Sequence, residues 1–284
     1  VIPASRPDRT RLLDLPSGRV FVVDVGPLDS PLPPLLLLHG LLVTHYSFRH
    51  LLGPLSAERR VLAIDLPGAG ESDRPRPQDA EGYSVGWLAA RVDDVLGELG
   101  VSTVDLLGHS FGGTVALWLA ATIPARVRRL VLVDPVAFPF DLPLVGRLAL
   151  LPRVGPMLFE NLYRQADLRR YLRGTVSTPE LLDATAVDVY WDRLGRTGGR
   201  EAAHAMLKGI RDLGPLHARM ADVRAPTLVV WGDRDALLPV SDGERLVGDL
   251  ASAELLVIPG CGHAVPEERP DALLSAAREF FGRR

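Results

Sequence analysis

Short apolar runs alternate with longer amphipathic stretches along this 284-residue chain. Leu35-Leu36-Leu37-Leu38 is the plainest run, and residues 61–64, 104–107, 130–133, 227–231 and 255–258 repeat it. Runs of this length predict strands covered on both faces. Two more runs, residues 11–15 and 20–24, flank Pro16-Ser17-Gly18 and predict a hairpin. That makes eight strands. Between them, Leu88, Val92, Val95, Leu96 and Leu99 recur at three- and four-residue steps, which marks one helix face. Residues 112–122 and 270–281 also read as helices, the latter closing the chain. Strand and helix alternate, so the pattern predicts an α/β architecture. Its sheet is mostly parallel with helices on both faces, and the hairpin adds antiparallel strands at one edge.

Residues 135–224 break the alternation. No strand is evident there; prolines stand at 139, 143, 152 and 156, and several pieces are amphipathic. Thr178-Pro179-Glu180 has the form of a helix start, with Thr178 as N-cap and Pro179 at the first helical position. Residues 181–194 and 200–213 read as helices. The expected organisation is a core in two parts, residues 1–134 and 225–284, with a helical insertion at 135–224 between the sixth and seventh strands. Such an insertion sits as a cap over the carboxyl ends of the strands, where open α/β sheets bind ligands. A decoration remote from the site is the alternative. Before the first strand, the chain is polar and proline-dotted through Thr10.

Composition narrows the classes of function. Hydrophobic residues at 47% and charged residues at 24% supply a full core. The net charge is −3 and no basic block is long enough to follow a phosphate backbone, so nucleic acid is not an expected partner. Cys261 is the only cysteine, which excludes an intramolecular disulfide and a thiolate metal cluster within the chain. That suits a reducing compartment. No apolar run reaches the ~18 residues of a membrane span, and no signal peptide is visible. A cytoplasmic location is therefore expected, although the chain starts at Val1 and an upstream piece is left open. Monomer and homodimer are both compatible with the sequence.

The chemistry centres on Gly108-His109-Ser110-Phe111-Gly112, a G-x-S-x-G pattern set between an expected strand and an expected helix. In that setting the pattern denotes a nucleophile elbow, a turn so sharp that it lifts the serine hydroxyl above the sheet edge. Gly108 and Gly112 are needed because a Cβ at either position collides across the bend. A serine hydroxyl is a weak nucleophile. It needs a base within hydrogen-bond reach, and the base needs an orienting carboxylate. His263, in a glycine-flanked loop after the last strand, is the candidate base, with His39 and His109 as rivals. His45, His50, His204 and His217 match no motif.

Three further motifs accompany the elbow. His39-Gly40 follows the third strand, Asp65-Leu66-Pro67-Gly68-Ala69-Gly70-Glu71-Ser72 the fourth, and Gly260-Cys261-Gly262-His263 the last. Together, from about residue 11 to 283, the chain resembles the α/β-hydrolase superfamily, in its capped, lipid-independent esterase and haloperoxidase-like branch. The resemblance implies an α/β-hydrolase fold with Ser110 as nucleophile and His263 as base. In the family's G-x-x-D pattern, Asp235 is the orienting acid, while Asp233 reads as a loop-capping residue, since Asp readily bonds its own following backbone. Asp134, at the end of the sixth strand, competes for the acid role, because some relatives place the acid there. The backbone N–H groups of Phe111 and Leu41 would hold the oxyanion, with Leu42 a close alternative to Leu41. His39 would brace the strand end, and the side chain of His109 would be directed elsewhere.

No cofactor and no metal are implied. Residues 65–72 lack the third glycine or lysine-serine pair of a phosphate loop, and no His-Glu-x-x-His is present. The expected function is hydrolysis of a small apolar carboxylic ester through an acyl-enzyme. Lactone, thioester and C–C hydrolysis or peroxyacid formation on the same three residues are alternatives, as is a non-catalytic binding module. A serine at the elbow argues against dehalogenase and epoxide-hydrolase chemistry, for which the resembling families use aspartate. Leu41-Leu42-Val43 departs from the glycine-rich loop of some lipases and the glycine-proline-glycine loop of C–C hydrolases. Leu144, Leu148, Leu151, Met157, Phe159, Leu162 and Met206 are pocket candidates by residue type, and each could equally be core of the insertion.

Overall fold

All eight expected strands form one sheet, in the order β1-β2-β4-β3-β5-β6-β7-β8. The computed structural model describes residues 10–79, 81–140 and 144–283, so the polar opening segment and Pro143 lie outside the described residues. The strands are β1 (Thr10–Leu13), β2 (Val20–Val25), β3 (Leu35–Leu38), β4 (Val61–Ile64), β5 (Val104–His109), β6 (Val127–Val133), β7 (Thr227–Gly232) and β8 (Ala253–Ile258). β1 and β2 pair antiparallel, as do β2 and β4; every other neighbour is parallel.

The period of two explains the unbroken runs. Leu36 and Leu38 of β3 join the core on one face, packed with α2 (Val85–Glu98) and α3 (Phe111–Thr122). Leu35 and Leu37 join the core on the other, with α1 (Arg49–Ser56) and the closing helix Pro270–Gly282. β4 divides in the same way, Leu62 and Ile64 against Val61 and Ala63. Each strand needs two apolar faces because helices cover both.

Two strands depart from the expectation. β8 was expected to be covered on both faces, yet Leu256 and Val257 are 37% and 40% exposed. It is the last strand of the sheet, with β7 on one side and no strand on the other. In β5, Asp105 interrupts the apolar run and is fully buried. Arg59 and Arg128 both reach it, at 2.6 Å each, so the buried carboxylate carries its own counter-charges.

Between β6 and β7 the described residues form helices and no strand. They are α4 (Leu144–Ala149), α5 (Val154–Pro156) continuing into a wider π-type turn (Met157–Leu162), α6 (Gln165–Arg173), α7 (Ala184–Leu194), α8 (Gly199–Gly209) and α9 (Gly214–His217). The Thr178-Pro179 start opens only a single 3₁₀ turn, Pro179–Leu181, and the Thr178 side chain caps nothing. The long helix begins three residues later, where the Asp183 side chain accepts the Thr185 N–H at 2.8 Å. Asp is as good an N-cap as Thr, and Pro179 is equally at home in a turn. The helix expected over 200–213 ends at Gly209, and Gly214 starts a separate short one. After β7 come α10 (Val240–Asp249), then α11 (Val265–Glu268) and α12 (Pro270–Gly282).

Candidate active site

Ser110 stands between the last residue of β5 and the first of α3, with φ 52° and ψ −121°. A non-glycine residue at that φ is strained, and strain of this kind gathers at functional sites. The turn is held from below by the Ser110 N–H, which donates to Val133 O at 2.8 Å. Both elbow glycines are required. A Cβ on Gly108 would come within 2.5 Å of Gly112 O, and one on Gly112 within 2.2 Å of Leu38 O. Gly40 is a tighter-than-usual position, since its Cβ would lie 3.2 Å from that of Ser110.

His263 reaches Ser110 from the loop after β8. Its Nε2 is 2.9 Å from Ser110 Oγ, and its Nδ1 is 2.7 Å from Asp235 Oδ2. The other oxygen of Asp235 accepts the N–H groups of Leu237 at 2.7 Å and Leu238 at 3.0 Å. An acceptor-only carboxylate on Nδ1 assigns the proton to that nitrogen, which leaves Nε2 free to accept from the serine. The three side chains are buried or nearly so.

Asp134 lies beside this pair without joining it. Its Oδ1 accepts the Gly232 N–H at 2.9 Å, and its Oδ2 is buried with no partner. Burial first, and then the charge of Asp235, push its carboxyl well above the ordinary range. Asp233 differs from expectation: it accepts the N–H of Cys261 across the loops at 3.2 Å. The bond to its own following backbone belongs instead to Asp235.

The rival histidines hold structure. His39 donates from Nδ1 to Gly40 O at 2.8 Å and accepts the Leu66 N–H on Nε2 at 3.0 Å, which fastens the end of β3. His109 is directed away from the cavity, under the loop that carries His263. Its Nε2 donates to His263 O at 2.9 Å. Burial, and then repulsion from His263, pull its pKa down to about 3, so it is a neutral donor. That role left no trace in the sequence. Asp65 organises the loop 65–72: it accepts the N–H and Nδ1–H of His45 and the N–H of Glu71, while Ser72 Oγ donates to its backbone oxygen.

A cavity of about 700 Å³ opens over Ser110 and His263. Core residues Leu41, Leu42, Phe111, Leu237 and Leu238 line one side, and Ala149, Phe159, Tyr163, Tyr171 and Leu207 of the helical segment line the other. Of the candidates chosen by residue type, only Phe159 lines it. Met157 and Leu162 are 49% and 52% exposed and Leu151 is also exposed, whereas Met206 is buried against Gly68. Leu148 is half-buried outside the lining, and the side chain of Leu144 lies outside the described residues. On a helix whose two faces are both apolar, residue type does not say which face meets the cavity.

A family model described as alpha/beta hydrolase fold matches residues 33–270. The chain belongs to that family. Among curated alpha/beta hydrolase relatives, it is 29% identical over 264 residues to the uncharacterised hydrolase YugF of Bacillus subtilis, covering 87% of this chain and 89% of that protein. It is 31% identical to a 2-hydroxymuconate semialdehyde hydrolase of Pseudomonas, covering 87% and 86%. Among solved structures, wild-type Cfl2 from Burkholderia cenocepacia superposes with a TM-score of 0.84 at 27% identity, covering 96% of this chain and 95% of that one.

Within this alpha/beta hydrolase, Phe111 and Leu41 both line the cavity that Ser110 lines. Phe111 opens α3, so its N–H has no partner inside the helix. Leu41 follows Gly40 in the loop after β3, and its N–H donates to no described residue. Leu42, with φ 65°, lines the same cavity. Among the described residues, Asp134, Asp235 and His263 bring three ligand-type atoms within 4.8 Å of one another. In that cluster, His263 Nδ1 and Asp235 Oδ2 are hydrogen-bonded to each other at 2.7 Å. No helix among the described residues is long and apolar enough to cross a membrane.

Proposed function

We propose that the protein hydrolyses carboxylic esters of apolar character through an acyl-enzyme on Ser110. The observation that carries this reading is the relay Asp235–His263–Ser110, 2.7 Å and 2.9 Å long, ending on a strained serine at the floor of an apolar cavity. His263 Nε2 takes the proton of Ser110 Oγ as the oxygen attacks the ester carbonyl. The tetrahedral oxyanion is held by the N–H groups of Phe111 and Leu41. As the intermediate collapses, His263 returns the proton to the leaving alkoxide and the alcohol departs. Water then attacks the acyl-enzyme, its proton goes to His263 and on to Ser110, and the acid is released. Asp235 fixes the imidazole tautomer and stabilises the imidazolium. The helical segment over the site acts as a cap that supplies half of the cavity wall.

Ser110 weighs against the reactions that need a carboxylate at the elbow. C–C bond hydrolysis on the same three side chains is the second reading, favoured by the 31% identity to the semialdehyde hydrolase. Against it stand Leu41-Leu42-Val43 in the loop over the oxyanion position and the apolar character of the cavity. The test is a panel of p-nitrophenyl esters and ring-cleavage diketones run on the wild type and on Ser110→Ala. Ester turnover and fluorophosphonate labelling that both vanish in Ser110→Ala are expected. Turnover of diketones alone, or labelling that survives the substitution, contradicts the ester reading.

A further inference from the structure

Glu268 is 6% exposed, and its carboxylate lies between two loops. It is the last residue of α11, the short helix that follows His263. One oxygen accepts the N–H of Gly262, the residue before His263, at 3.0 Å. The same oxygen accepts the N–H of Ser177 at 2.9 Å, and the other oxygen accepts from the Ser177 hydroxyl. Ser177 belongs to the helical segment between β6 and β7, not to the sheet. The two loops also meet directly. Ala264 N–H donates to Thr175 O at 3.0 Å, and a Cβ on Gly262 would fall 2.6 Å from that same oxygen. Next door, Glu267 accepts from Tyr190 of α7 and from Arg49 of α1, each at 2.8 Å. The segment carrying His263 is therefore bonded on one side to the insertion through consecutive glutamates.

We infer that Glu268 is a positioning residue: its carboxylate binds the His263 loop and residues 175–177 of the insertion into one unit, and so sets His263 against Ser110. The inference rests on His263 acting as the base of the proposed hydrolysis. Its physical ground is the cost of the alternative. Without the carboxylate, the buried Gly262 N–H and the part-buried Ser177 N–H lose their acceptor, and the loop must move to recover partners. A shift of about 1 Å in a catalytic base is enough to cost on the order of 10²-fold in rate. The role is one of acceptor geometry rather than charge. A glutamine at 268 can present its carbonyl oxygen to both N–H groups. Its amide can donate to Ser177 Oγ, whose proton then goes to Gly260 O, already 3.0 Å away.

The test compares Glu268→Ala, Glu268→Gln and Glu268→Asp in the full chain with a p-nitrophenyl ester, each assayed below its own melting temperature. Expected is a kcat lowered on the order of 10²-fold in Glu268→Ala, with KM within about threefold, and a kcat within about threefold of wild type in Glu268→Gln. Glu268→Asp keeps the charge but is one methylene too short to reach both loops, and its kcat is expected to fall as well. This makes it the deciding variant if Glu268→Ala fails to fold. A folded Glu268→Ala or Glu268→Asp with wild-type kcat overturns the inference, as does a loss confined to KM or a Glu268→Gln as slow as the alanine variant. Retained turnover in Ser110→Ala, by contrast, removes the serine reading itself.

Discussion

Asp134 and Asp235 are two carboxyls with oxygens within 4.8 Å of each other in different surroundings. Asp235 touches His263 and two backbone N–H groups, all donors. Asp134 has one donor and an unpartnered oxygen in a buried site, beside a group already charged. Asp235→Asn is expected to lower kcat by roughly 10⁴-fold, because the amide holds the wrong imidazole tautomer. Asp134→Asn replaces a carboxyl biased towards its neutral form with a neutral amide, and is expected to keep kcat within about fivefold. Steady-state kinetics of the two variants decide the matter; the reverse pattern assigns the acid to Asp134. Ser110, His263 and Asp235 were candidates in the sequence because each follows a strand within a few residues; Asp134 does so too, and only the family resemblance favoured Asp235 over it. The neutral donor role of His109 and the bridging role of Glu268 were not legible. Both depend on burial and on partners more than 80 residues away.

At the level of elements, strands were easier to read than helices. A strand buried on both faces has no polar position to spare, so its run stands out in any window. The helices between β6 and β7 are short and broken by proline and glycine. Their ends are set by caps such as Asp183 that look like ordinary turn residues. The 65–72 loop shows how a motif without chemistry supports a site. Burial acts to raise the Asp65 pKa, but the hydrogen bonds from the side chain and backbone N–H of His45 outweigh it and bring it down to about 2. The folded value lies below the unfolded value of 3.8. The stabilisation is therefore complete above about pH 4 and is lost as pH falls towards 2. Asp65→Asn is expected to cost about 2 kcal/mol in urea unfolding at pH 7, with the gap from wild type closing as pH drops from 4 to 2. A gap that stays constant with pH would mean that the ionised carboxylate contributes nothing.

For the whole molecule, loops at the sheet edge carry Ser110, Asp235 and His263, and the helices between β6 and β7 line part of the cavity above them. The cavity has walls from both, so its volume depends on how the insertion docks, and the bonds of Glu267 to Tyr190, Glu268 to Ser177 and Glu71 to Arg193 are part of that docking. A cavity of about 700 Å³ accommodates more than an acetyl group. Leu158, which lines it from the insertion, offers a way to shrink it. Leu158→Trp is expected to lower kcat/KM for a p-nitrophenyl octanoate about tenfold or more, with the acetate ester nearly unchanged, since a few methylenes lost from an apolar pocket are worth about that much. Equal losses on both esters would place the acyl chain elsewhere. The existence of an insertion was legible from the break in the strand rhythm. Of its cavity-facing residues only Phe159 was among the candidates, because packing alone decides which apolar side chains turn inward.

The most direct measurement is the fate of the acyl group in a single turnover. The protein is mixed with excess p-nitrophenyl acetate, quenched within the first turnover and digested for peptide mass analysis. One acetyl group on Ser110, with a burst of p-nitrophenol equal to the enzyme concentration, is expected. A burst without an adduct on Ser110, or an adduct that forms equally well in Ser110→Ala, would contradict acylation of that serine.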